Sequence, residues 1–137
     1  MPAPAPGHDI DAAAVRRRRA VHAVMLVAVV ALGLASRAWP MFPAFLGGYP
    51  GDALWAWMVL LLLGLLWPRL SANRLAWLAL AVSFAVESSQ ALHAPWLDAL
   101  RATTPGHLLL GSDFDPLDLV ALAVGIGIGY TFEHFVR

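Results

Sequence analysis

The sequence predicts an all-α polytopic membrane protein, four transmembrane helices in one bundle, and three observations carry the prediction. Hydrophobic residues make up 60% of the chain and charged residues only 13%, with a mean hydropathy of +0.69, the balance of a chain whose solvent is lipid. The apolar residues fall into four runs separated by proline, glycine, aspartate and arginine, which start and stop helices. The arginines are distributed unevenly about those runs, as in chains threaded through a membrane. Other classes are excluded by the same composition. A formal net charge of 0 gives no general attraction to nucleic acid, and the one basic cluster abuts an apolar run as a topogenic signal does. With no cysteine there is no disulfide framework, thiolate nucleophile or cysteine metal site. The nine basic residues are all arginine, which removes lysine Schiff-base chemistry.

Residues 1–15 combine Pro2, Pro4, Pro6 and Gly7 with Asp9 and Asp11, lack apolar periodicity, and read as a disordered cytoplasmic tail. Residues 16–137 then form one membrane domain. Arg16, Arg17, Arg18 and Arg19 followed by the apolar run 20–36 have the outline of a secretory signal, but three further spans follow, so the run is read as an uncleaved first helix. Residues 36–51 hold Pro40, Pro43 and Pro50 with three glycines and end that helix in a tight connection. Asp52 reads as the N-cap of the second span, 52–67, which Pro68 closes. Both spans fall short of the roughly 20 residues that cross a bilayer, so each borrows flanking residues or thins the membrane.

Residues 69–74 form a short turn with two arginines, and the third span follows at 75–92. Residues 94–111 are too polar to span, yet Trp96, Leu97 and Leu100 opposite Asp98 and Arg101 predict a short interfacial helix ending near Pro105 and Gly106. A turn is expected at 112–115. Asp115 before Pro116 is an N-cap followed by proline at the first helical position, with Asp118 where a capping-box acid stands, and starts the fourth span, 117–135. Along it Asp118, Ala121, Gly125 and Gly129 form a small-residue stripe for close packing within the bundle, with Ile126 pointing elsewhere. Gly125, Gly127 and Gly129 follow no strand and are not a dinucleotide fingerprint.

Charge orients these spans. Arg16, Arg17, Arg18, Arg19, Arg69, Arg74 and Arg137 fall on one side and only Arg37 and Arg101 on the other, so both termini are expected in the cytoplasm. Arg37, Asp52, Glu87, Gln90, His93, Asp98, Arg101, His107, Asp113, Asp115 and Asp118 then gather at the outer side.

The most informative stretch is residues 86–93 (VESSQALH), which sets an ionisable group and an amide within an apolar helix. Glu87 and Gln90 lie at i and i+3, with Ser83 one turn earlier, so the three share a face. An unpaired carboxylate there costs at least about 2.5 to 3.5 kcal/mol, and a proton or a cation must offset it. Arg101, carried on a loop that folds back toward the fourth span, is expected to reach Glu87 ahead of Arg37. Metal chemistry is not supported, because His93 and His107 are separated by a Pro-Gly break and neither belongs to an HExxH pattern. Ser88 and Ser89 lack an acid-base pair at triad spacing, so no catalytic residue is assigned and no cofactor is expected.

Arg37, residues 40–46 (PMFPAFL), residues 49–56 (YPGDALWA), Glu87, Ser88, Ser89, Gln90, residues 98–101 (DALR), Gly111, Phe114 and Asp118 together resemble the family catalogued as domain of unknown function 2809. The resemblance extends from Arg16 to the C-terminus and implies a small bacterial membrane protein, with a topology but no reaction. The chain is also distantly similar to the VanZ-like family, whose members carry an acid and a glutamine on one helix, an arginine-containing loop, and an aspartate at the head of the next helix. Glu87 and Gln90, Arg101 and Asp118 stand in those places, and that likeness implies contact with the outer leaflet of the cell envelope.

The expectation is therefore a non-enzymatic inner-membrane protein whose two outer loops fold over a polar pocket of Glu87, Gln90, Arg101, Asp118, Arg37 and Asp52. Its partner would be a membrane lipid or a lipid-linked envelope component, with no nucleic acid. Two alternatives stand beside it: a membrane enzyme using Glu87 as acid or base, and a structural subunit whose polar cluster only locks its helices. The oligomeric state is left open.

Overall fold

The computed structural model describes residues 6–110 and 115–137, the stretch 6–11 by its backbone. Gly111, Asp113, Phe114 and all but Asp115 of the turn expected at 112–115 lie outside the described residues. Among those residues there are six α-helices and no strand: α1 Pro6–Ala38, α2 Tyr49–Leu66, α3 Ala72–Ser89, α4 Pro95–Ala102, α5 Thr104–Leu110 and α6 Pro116–Val136, with a 3-10 turn at Ala44–Leu46 between α1 and α2. Three stretches are long and apolar enough to cross a membrane: Ala12–Ala38, Tyr49–Leu66 and Pro116–Val136. The third span that the sequence predicts corresponds to α3, which is not among them, since Asn73, Arg74, Ser83, Glu87, Ser88 and Ser89 dilute its apolar character.

Several boundaries differ from expectation for local reasons. A helix starts at Pro6, where the sequence suggests an irregular tail to residue 15; proline is tolerated in a first turn because its missing N–H has no partner to lose there. Likewise α2 starts before Asp52, with Gly48 as N-cap and Pro50 in the first turn, so Asp52 is not the cap but a first-turn acid facing the positive helix end. The short helix expected to stop near Pro105 and Gly106 is two helices. Thr103 caps the second, its Oγ1 accepting from the Gly106 N–H (3.1 Å) and its carbonyl from the His107 N–H (2.9 Å). Gly106 is needed there, because a Cβ would run into the Leu100 carbonyl. Ser71 caps α3 by accepting from the Arg74 N–H (3.3 Å), and Asp115 caps α6 by accepting from the Leu117 N–H (3.0 Å).

The bundle is built around α2, which packs against α1, α3 and α6, while α6 also lies along α3. Its core is Ala56, Val59 and Leu60 of α2, Ala79 of α3, and Leu122 and Ile126 of α6. Ile126 therefore points inward, contrary to expectation, and Gly127 is the outward neighbour with open space around it. The small-residue stripe meets α2: a Cβ on Gly125 would strike the Ala53 carbonyl, and one on Gly129 would come within 2.8 Å of the Trp57 ring. Large apolar side chains such as Val27, Trp77, Val120 and Phe135 are exposed on the outside of the bundle.

Candidate functional site

One end of the bundle gathers the end of α1, the first turns of α2 and α6, the last turns of α3, and α5 around a polar cavity of about 200 Å3. Arg37, Asp52, Glu87, Gln90 and Asp118 line it, joined by Trp55, Ser83 and His107. Five of the six predicted site residues thus meet. Asp118 lies in side-chain hydrogen-bonding contact with both Asp52 and Glu87, so three acids converge. Glu87 Oε1 also accepts from the Asp115 N–H (3.3 Å), and the Asp115 carboxyl accepts from Tyr49 Oη (3.0 Å). Gln90 Nε2 donates to the Leu110 carbonyl (2.7 Å), which pins α5 over the cavity.

Arg101 is the exception. It is 6% exposed but does not line the cavity. Its Nη1 donates to the Leu92 carbonyl (2.9 Å), its Nη2 donates to the Ser89 carbonyl, and its remaining ionic neighbour is Asp98 at 3.7 Å. The expected Glu87 to Arg101 pair is therefore not formed. The physical reason lies at the helix end: the final carbonyl of α3, at Ser89, and the Leu92 carbonyl of the turn that follows have no further helical turn to bond to, and one guanidinium fork takes both. Arg37, exposed at the cavity mouth, is the cation whose charge reaches Asp52. His93 stands apart, exposed, 3.7 Å from Asp98.

Ser83 is fully buried, lines the cavity, and its hydroxyl has no hydrogen-bond partner among the described residues. The Trp55 indole N–H, on the same wall, is likewise unpartnered there. No three of His, Cys, Asp or Glu among the described residues are arranged to hold a metal ion. A second opening of about 300 Å3, apolar and set between α1 and α2, shares Arg37, Trp55, Leu108 and Leu109 with the polar cavity.

The opposite end holds a cluster that no motif in the sequence singles out. His22 of α1 and Glu133 of α6 are both fully buried and meet at 2.6 Å through Nε2 and Oε1. His22 Nδ1 lies 2.6 Å from the Arg18 carbonyl, so Nδ1 carries a hydrogen and a further proton is shared between Nε2 and the carboxyl. Arg137 Nε donates to the other Glu133 oxygen (3.0 Å), and Arg17 and Arg18 reach the Val136 and Pro68 carbonyls. Gly64 of α2 leaves room for the imidazole, since a Cβ there would sit 2.5 Å from it. An ionisable residue inside an apolar run was the available signal.

Fold and site together define a class: an all-α bundle of apolar helices with an acid-lined cavity at one end. Within that class the chain belongs to the family described as "Protein of unknown function (DUF2809)", whose model matches residues 41–126. The matched stretch contains Asp52, Glu87, Gln90, Arg101 and Asp118, while Arg37 precedes it. No solved structure matches the chain.

Proposed function

We propose that this is a four-span protein of the bacterial inner membrane, with both termini in the cytoplasm, whose outer-leaflet cavity binds the polar head of a membrane lipid or lipid-linked envelope component. The observation that carries the reading is the shared wall between the polar cavity and the apolar groove: one molecule with a polar head and a hydrocarbon tail fits both. A soluble ligand would have no use for the groove. In this reading α3 is the third of the four spans, supported by its packing along α2 and α6 and by a length of about 27 Å at 1.5 Å per residue. The orientation is supported by the arginines: Arg17 and Arg18 contact the ends of α6 and α2 at the end of the bundle away from the cavity. The distant VanZ-like likeness, resting on Glu87, Gln90, Arg101 and Asp118, agrees with an outer-leaflet site.

The test is lipid retention. Gly33 lines the groove, and a Cβ added to it would meet nothing within 4 Å, so a side chain can start there and Gly33→Trp puts its bulk into the groove. Native mass spectrometry of the wild type in detergent is expected to show retained lipid, and Gly33→Trp, at an unchanged unfolding temperature, to lose most of it. Equal retention by the two proteins would remove the groove, and with it this reading.

A further inference from the structure

We propose that the cavity selects a phospholipid whose head carries a primary ammonium next to its phosphate, the ammonium seated among Asp52, Glu87 and Asp118, the phosphate at Arg37, and an acyl chain along the α1–α2 groove. This rests on the lipid-head reading above and narrows it to one head-group chemistry.

Three carboxyls line one cavity, Asp118 within hydrogen-bonding reach of Asp52 and of Glu87, a concentration of acid that protons or a cation must offset, and among the described residues none of them has an arginine within ion-pair distance. Arg37 reaches Asp52 only by longer-range attraction. A chelated metal does not fit as that cation, since no three of His, Cys, Asp or Glu among the described residues are placed to hold one. An ammonium brings three N–H donors and no acceptor, matching carboxyl oxygens on three helices. Ser83 supplies a second, independent indication. Its hydroxyl is fully buried, without a partner among the described residues, on the wall of the same cavity, and it can accept a hydrogen bond from a donor seated there. A quaternary ammonium has no N–H to give to any of these groups and calls for an aromatic cage, whereas among the described residues Trp55 is the one Trp, Tyr or Phe on the wall.

Arg37 lines both the polar cavity and the groove, and no hydrogen bond among the described residues holds its guanidinium. A phosphate lies between the amine and the acyl chains in such a lipid, as Arg37 lies between the acids and the groove. Size points the same way. At about 200 Å3 the cavity is smaller than the roughly 300–1,000 Å3 that encloses drug-sized ligands, so it suits a short head and not a sugar-bearing one.

The experiment offers the delipidated full-length protein equimolar phosphatidylethanolamine, phosphatidylcholine and phosphatidylglycerol, with free phosphoethanolamine in a separate arm, and reads bound species by native mass spectrometry. Phosphatidylethanolamine is expected to be retained about tenfold over each of the others, about what one charge-assisted hydrogen bond supplies, and over the free head. Asp118→Asn is expected to abolish the preference. Ser83→Ala, a substitution the fold accommodates easily, is expected to weaken it about threefold at unchanged thermal stability, which keeps the test decisive if Asp118→Asn does not fold. Equal retention of the three lipids, all lost in Gly33→Trp, would overturn the amine selection and leave the lipid-head reading standing. Lipid retention indifferent to Gly33→Trp would overturn both. Free phosphoethanolamine binding as tightly as the lipid would assign the site to a soluble amine and overturn the proposal.

Discussion

At the scale of single residues, Arg101 illustrates how a buried cation chooses its partners. It satisfies the carbonyls of Ser89 and Leu92, where α3 ends, and leaves Glu87 to Asp118 and the Asp115 N–H. Arg101→Ala is therefore expected to destabilise the protein by about 3 kcal/mol, the order of losing two charge-assisted bonds partly offset by water. Adding Glu87→Gln is expected not to rescue it, and thermal unfolding of the single and double variants in detergent checks both points. The buried pair at the other end behaves differently. Glu133→Ala strips a fully buried imidazole of its partner and is expected to cost about 3–5 kcal/mol, while His22→Leu with Glu133→Leu is expected to recover most of the loss, as a double-mutant cycle would show. The importance of Glu87 was legible because a carboxyl in an apolar run is expensive wherever it points. The same cost marks His22 and Glu133, but their bond joins positions 111 residues apart, and no local pattern pairs them. The partner of Arg101 was not legible, because charge alone points it at Glu87 while the carbonyls that a helix end leaves open compete for the same guanidinium.

At the scale of elements, the apolar runs announced α1, α2 and α6, and the Asp115-Pro116 start of α6 was legible because cap and proline act within one turn. The starts of α1 and α2 were not, since proline marks both a break and a permitted first turn. The division of α4 from α5 depends on a threonine cap and on a glycine beneath the Leu100 carbonyl, a close approach that composition does not reveal. The α6 stripe yields a sharp comparison. Gly125→Leu drives a side chain into the Ala53 backbone and is expected to lose about 1–3 kcal/mol or more, whereas Gly127→Leu, two residues on and open to the outside, is expected to stay within about 0.5 kcal/mol. Unfolding temperatures of the two variants in the same detergent decide it.

At the scale of the whole molecule, the sequence placed most polar groups at one end and most arginines at the other, and in the folded bundle those ends carry the two polar clusters. A C-terminal alkaline phosphatase fusion is accordingly expected to stay in the cytoplasm and be inactive, and one inserted in the loop at residues 41–43 to reach the periplasm and be active; the reverse pattern would invert the orientation. Between the clusters, on α2, the distance from Asp52 to Gly64 is about 18 Å along the helix, and the side chains filling it are Ala56, Val59 and Leu60 with Leu122 and Ile126 across from them. In the proposed orientation that middle would act as an electrical insulator. A proton or ammonium held at the cavity would then face a low-dielectric plug toward the cytoplasm, with the membrane voltage worth about 2.3 kcal/mol per charge for each 100 mV. Liposomes carrying the protein should therefore hold a potassium diffusion potential as long as empty ones do, since no ion is expected to cross that layer.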